Sequence, residues 1–112
     1  MVKKEYIPDR GDIVWIDFDP AKGHEQKGNR PAVIISRKKY NLRSGLVVLC
    51  PITSQTKDYP FEVPFIKNER KGSVLVDQLR TIDWGIRKIR YIDRLDEMIM
   101  REVQNKLETL IH

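Results

Sequence analysis

Short apolar runs punctuated by turn residues constrain this chain more than any other feature. They lie at residues 12 to 18, 31 to 36, 46 to 52, 61 to 65, 73 to 77 and 79 to 84, with Gly45, Pro51, Pro60, Gly72 and Gly85 as breaks. That spacing predicts a small antiparallel sheet or barrel. The first three runs are apolar on both alternating faces, so a single helix-covered face does not account for them. A curled sheet or an interface between two copies has to hide the rest. Phe61-Glu62-Val63-Pro64-Phe65 alternates more cleanly, and Pro64 sets it near an edge, because proline has no N–H to give a ladder.

Two segments depart from this pattern. Arg37-Lys38-Lys39-Tyr40-Asn41-Leu42-Arg43 suits one or two helical turns with a basic outer surface, read more simply as a solvated turn than as a specific binding site. Toward the end, Leu95, Met98, Ile99, Val103, Leu107 and Leu110 recur at helical intervals. They predict a C-terminal helix with that stripe in the core, Asp93 as its N-cap, and Asp96 and Glu97 near the positive end of its dipole. No linker, internal repeat or low-complexity tract divides the chain, so one domain over residues 1–112 is expected.

The single cysteine, Cys50, ends the apolar run Leu46-Val47-Val48-Leu49-Cys50, where a buried, inert thiol is expected. A reducing cytoplasm suits it. No apolar stretch approaches the roughly 20 residues that span a bilayer, and Met1-Val2-Lys3-Lys4-Glu5 lacks the apolar core of a signal peptide. No membrane association is therefore expected. The formal net charge of +5 is unevenly spread, with +7 over residues 1 to 92 and −2 over residues 93 to 112. A basic body attracts polyanions in a salt-sensitive way, although charge alone does not single out nucleic acid.

The densest polar chemistry is Gly23-His24-Glu25-Gln26-Lys27-Gly28-Asn29-Arg30-Pro31, a loop expected between the strands Asp12 to Phe18 and Pro31 to Ser36. With two histidines, one cysteine and no acidic cluster at ligand spacing, the economical expectation is a site with no metal and no cofactor. No nucleophile elbow surrounds Ser36, Ser44, Ser54 or Ser73, which leaves an acyl-transfer hydrolase weakly supported. RNA needs no protein nucleophile, because its 2′-hydroxyl attacks the adjacent phosphorus once a base accepts the proton. Glu25 is a candidate base, Arg30 a fork for the non-bridging oxygens, and His24 or Lys27 a source of positive charge or of a proton. A surface ion pair between Glu25 and Arg30 is the bland alternative.

Two further polar clusters follow apolar runs. Pro51-Ile52-Thr53-Ser54-Gln55-Thr56-Lys57 offers hydroxyls and amides for phosphate or base edges, or simply forms a Ser/Thr turn. In Asp77-Gln78-Leu79-Arg80-Thr81-Ile82-Asp83-Trp84, Asp77 is either a second acid or base or a turn-forming side chain. Gln26, Lys57, Gln78 and Arg87 are candidate RNA contacts.

Together these pieces resemble the MazF/PemK (Kid) toxins of bacterial toxin–antitoxin modules. The resemblance rests on Arg10-Gly11-Asp12-Ile13-Val14-Trp15, Phe18-Asp19-Pro20, Gly23-His24-Glu25-Gln26, Gly28-Asn29-Arg30-Pro31, Pro51-Ile52-Thr53-Ser54 and Asp77-Gln78-Leu79-Arg80-Thr81-Ile82-Asp83, in that order, with Glu97 to Val103 similar to the family's final helix. It implies a mostly β, α+β fold: an SH3-like small barrel of antiparallel strands with short helices and a C-terminal helix. It also implies a cytoplasmic homodimer, a metal-independent, sequence-specific endoribonuclease that cuts single-stranded RNA at a short preferred sequence and so inhibits translation and growth, and a cognate antitoxin that binds through an acidic, extended C-terminal segment. By the same resemblance the catalytic residues fall on Arg30, Thr53 and Glu25. His24, Gln26, Lys27, Ser54, Lys57, Asp77, Gln78 and Arg87 are the RNA-binding candidates. Asp77 matches the aspartate that Kid-type members use as a base, while Leu75 stands where those members carry an arginine. A barrel that binds nucleic acid or protein without catalysis is the competing reading.

Overall fold

The computed structural model describes residues 6 to 17 and 28 to 111. Seven strands form one curled antiparallel sheet: β1 (Asp12–Asp17), β2 (Asn29–Ile34), β3 (Leu46–Thr53), β4 (Glu62–Lys67), β5 (Arg70–Leu75), β6 (Arg80–Asp83) and β7 (Arg90–Arg94). A short helix α1 (Lys38–Ser44) precedes β3, a 3₁₀ turn (Val76–Gln78) follows β5, and α2 (Glu97–Ile111) ends the chain. The strand order is β4-β5-β3-β2-β1-β7, with β6 also on β3. β3 carries the bend, since its first half pairs with β6 and its last two residues, Ile52 and Thr53, pair with β5.

Curling buries apolar side chains from both faces of these runs in two cores. One core joins Ile13, Val33, Cys50, Ile52, Val63, Val74 and Val76 to Met100, Val103 and Leu107 of α2. The other gathers Val14, Ile16, Ala32, Ile34, Val47, Leu49 and Ile82 on the opposite face. Each fully buried aliphatic side chain contributes about 1.5–3 kcal/mol. The ends of the curled sheet meet through side chains: Asn68 donates to Asp93 at 2.8 Å, and Lys67 lies 3.4 Å from Asp96. As Pro64 suggests, β4 is an edge strand.

Several sequence expectations are corrected. Arg30 lies in β2, paired with Ile16, and not in a loop, because β1 extends the ladder as far as Asn29. β7 had no apolar signal, since Arg90, Tyr91 and Ile92 are all exposed on an edge. Its pairing with β1 keeps Asp93 in a strand, so Asp93 is not the N-cap, and α2 begins at Glu97 with Met100 N–H bonded to the Asp96 carbonyl at 3.0 Å. Met98 (76% exposed) and Leu110 (40%) leave the helical stripe, and Met100 (2%) takes a core position. α1 forms as expected, but it hinges on fully buried Asn41, whose amide donates to the Pro8 and Ser36 carbonyls at 2.8 and 3.1 Å. The Asn41 carbonyl accepts from Trp84 Nε1 at 2.9 Å. No helix among the described residues is long and apolar enough to cross a membrane.

Candidate active site

β2 and β3 bring the first functional side chains together. Their register pairs Ala32 with Pro51 and Val33 with Cys50; Arg30 lies two residues before the last pair of this ladder in β2, and Thr53 two residues beyond it in β3. Facing residues of an antiparallel pair project from the same side. On the other edge of β3, Arg80 pairs with Leu49, which alternation places on the Thr53 side as well. Arg87 donates to the Asp17 carbonyl at 2.8 Å, which anchors it at the end of β1, where Asp17 pairs with Asn29 at the start of β2.

Thr53 divides two concave surfaces. The first, a cavity of about 370 Å³, is lined by Thr53, Gln55, Lys57, Tyr59, Glu62, Leu75, Asp77 and Gln78. Four of the expected residues, Thr53, Lys57, Asp77 and Gln78, therefore share one cavity although 24 positions separate Thr53 from Asp77 in the chain. The second is a cleft of about 540 Å³ that takes in Thr53 and Ser54. Ile13, Trp15, Pro31, Ile52 and Phe65 form its apolar floor, and Lys67, Arg70 and Lys71 stand on its rim.

Within the first cavity, Asp77 sits on the 3₁₀ turn and accepts a 2.7 Å hydrogen bond from the Tyr59 hydroxyl. That bond, followed by burial and by the charge of Asp77, holds the Tyr59 hydroxyl above its ordinary range. Thr53 Oγ1 accepts from the Gln55 N–H at 3.2 Å, which orients its hydroxyl at the strand end. Leu75, paired with Glu62, is 7% exposed on the cavity wall. Cys50 is fully buried beneath, its thiol pushed up to about 12 by burial and then by Asp77. It is a core side chain, as its place in the apolar run indicates.

His24, Glu25, Gln26 and Lys27 lie outside the described residues. Among the described residues no three His, Cys, Asp or Glu side chains converge as metal ligands. Tyr59 and Glu62 were not singled out by sequence. Tyr59 adjoins a polar turn without being part of it, and the alternation of Phe61 to Phe65 assigns Glu62 to solvent although the structure buries it. The signal was the alternation itself, had its polar face been read as lining something.

The profile of the "PemK-like, MazF-like toxin of type II toxin-antitoxin system" family matches residues 9–111. The chain belongs to this family. It is 50% identical over 82 residues to the endoribonuclease toxin MazF of Escherichia coli (strain K12), covering 73% of this chain and 74% of that one. The endoribonuclease PemK of Escherichia coli is 33% identical over 116 residues, covering 99% and 87%. Among solved structures, MazF from Deinococcus radiodurans superposes with a TM-score of 0.90 at 41% identity, covering 96% of this chain and 98% of the other. A MazE–MazF structure from the same organism gives 0.82 at 36%, covering 96% and 97%. The mostly β, curled-sheet architecture with a C-terminal helix is thus that of MazF-type toxins.

Proposed function

We propose that the chain is an endoribonuclease toxin that cuts single-stranded RNA using the substrate's own 2′-hydroxyl. The observation that carries this is the gathering of Thr53, Lys57 and Asp77 on one cavity, with Arg30 on the neighbouring strand β2, in a chain half identical to a MazF endoribonuclease over most of its length. In the reaction the 2′-oxygen bonds to phosphorus as its proton passes to a carboxylate. The 5′-oxygen then leaves with a proton donated by His24 or Lys27, giving a 2′,3′-cyclic phosphate and a 5′-hydroxyl. Asp77 and Glu25 are the candidate acceptors. Arg30 clamps the non-bridging oxygens with its planar fork, since a guanidinium with a pKa above ~12 resists giving up a proton. The Thr53 hydroxyl donates to the same oxygens as negative charge builds on them. Ser54, Lys57, Gln78 and Arg87 hold the flanking nucleotides. DNA lacks the nucleophile.

Incubating the purified protein with structure-poor RNA in EDTA tests this. Fragments with cyclic phosphate ends, lost in a folded Arg30→Ala variant, are expected. Intact RNA of retarded mobility would instead identify a non-catalytic binding barrel. Wild-type cleavage by Arg30→Ala would remove Arg30 from the mechanism.

The same reading includes a cytoplasmic homodimer and a cognate antitoxin. An acidic, extended C-terminal segment of the antitoxin suits the larger cleft, whose apolar floor and Lys67, Arg70 and Lys71 rim match acidic and apolar side chains in alternation. Its affinity should fall as salt rises; a salt-independent affinity would count against charge mimicry.

A further inference from the structure

Glu62 is a buried carboxylate with little to bind. It is 5% exposed and lines the cavity beside Thr53, yet both its oxygens meet a single donor, the Lys57 backbone N–H, at 3.1 and 3.4 Å. Among the described residues no ion pair reaches it. A carboxylate accepts about four hydrogen bonds, so acceptor capacity is left unused beside a polar cavity. Among the described residues the other charged side chains on that lining are Lys57 and Asp77. With two carboxylates against one ammonium among the described lining residues, the Glu62 end of this cavity suits hydrogen-bond donors.

Tyr59 stands on the same cavity wall with its ring 45% exposed. One end is tied to Asp77 through the hydroxyl, and the ring packs edge-on against Phe61, with centroids 5.9 Å apart and planes at 64°. A solvent-facing aromatic ring held at two points is a pre-oriented stacking platform for an unstacked base.

We propose that this cavity is a nucleobase pocket in which Tyr59 stacks the base and Glu62 selects one bearing an exocyclic amino group. It rests on the ribonuclease reading for its substrate class. Adenine N6, cytosine N4 and guanine N2 donate to a carboxylate. Uracil presents a carbonyl oxygen where cytosine has its amine, and that oxygen faces the carboxylate without a proton between them. Stacking on Tyr59 is indifferent to base identity; the Glu62 contact is not.

Binding of 2′-deoxy homo-oligomers of adenine, cytosine and uracil, none of which can be cleaved by 2′-hydroxyl attack, separates the two roles by fluorescence anisotropy. The wild type should bind the adenine and cytosine oligomers about tenfold more tightly than the uracil oligomer. Glu62→Gln, which keeps an acceptor for the Lys57 N–H, should erase most of that difference. Tyr59→Ala should weaken all three by a similar factor, about tenfold. Equal affinity for the three oligomers, no binding to any, or unchanged discrimination in a folded Glu62→Gln protein overturns the proposal. RNA cleavage by the wild type is scored in parallel. Cleavage without base discrimination sinks the pocket and leaves the nuclease, whereas discrimination without cleavage does the reverse.

Discussion

Asp12 and Glu62 are equally buried, each 5% exposed, yet their surroundings are opposite. Asp12 accepts from the Tyr6 hydroxyl, from the Asp9 N–H at 3.0 Å and from Arg94 Nη1 at 3.0 Å. Glu62 has one backbone N–H for two oxygens. Burial costs an ionised carboxylate several kcal/mol wherever it occurs, and only partners offset that cost. The Asp12 corner is therefore a closed structural joint, tying the segment before β1 to β7. The Glu62 cavity is left open on the side where Thr53, Lys57 and Asp77 gather. An incomplete shell is the more informative of the two, because it is where a ligand's donors gain most.

Removing the carboxylate from the closed joint should have the largest effect. Asp12→Ala strands the Tyr6 hydroxyl, the Asp9 N–H and the Arg94 guanidinium together, and breaking such a buried constellation costs about 3–5 kcal/mol. Arg94 is 55% exposed on its side chain, so solvent screens part of its pair and the lower end is expected. Urea unfolding measures this. A loss below about 1 kcal/mol would mean that the joint is no more than a surface contact.

How these two sites read from sequence differs for a physical reason. The strands were legible because their apolar side chains must be buried on two faces, and short runs broken by Gly and Pro announce that. Thr53, Lys57, Asp77 and Gln78 were legible as polar clusters after apolar runs. Glu62 was not, since period-two alternation in Phe61 to Phe65 assigns a carboxylate to solvent, whereas β4 has Glu62 and Val63 buried on opposite faces. Asp12 was read only as the start of a strand and part of a family motif, because two of its three partners lie 6 and 82 positions away. β7 was missed because an edge strand with three exposed residues leaves no periodicity to find. Asp93 looked like a cap for the same reason, as nothing local separates a strand-ending aspartate from a helix-starting one.

Alkaline pH should sharpen the contrast through Tyr6. Burial foremost, then the hydrogen bond to Asp12 and its charge, hold the Tyr6 hydroxyl well above its ordinary value of 10.0. The unfolded chain therefore releases this proton at lower pH than the folded chain does. The stability it contributes is intact below about pH 10 and drains away as pH rises further. Tyr6→Phe should lower stability at neutral pH by about 1.5–3 kcal/mol, the range for a hydrogen bond to a charged acceptor. It should also flatten the decline above pH 10. Unfolding curves from pH 8 to 11 test both, and an unaltered alkaline limb in Tyr6→Phe would place the titration elsewhere.

The smallest stability effect is expected at Glu62, and its smallness is what separates the two carboxylates. Glu62→Gln keeps the acceptor for Lys57 N–H and removes a charge that no cation offsets, so the lost hydrogen-bond strength and the relieved desolvation nearly cancel, within about 1 kcal/mol. A residue kept for stability would not be so cheaply neutralised, whereas one kept for a ligand commonly sits where the fold gains little from it. If urea unfolding instead shows Glu62→Gln to cost as much as Asp12→Ala, then Glu62 holds the turn before β4 in place. The open side of its cavity would then be a by-product of that turn.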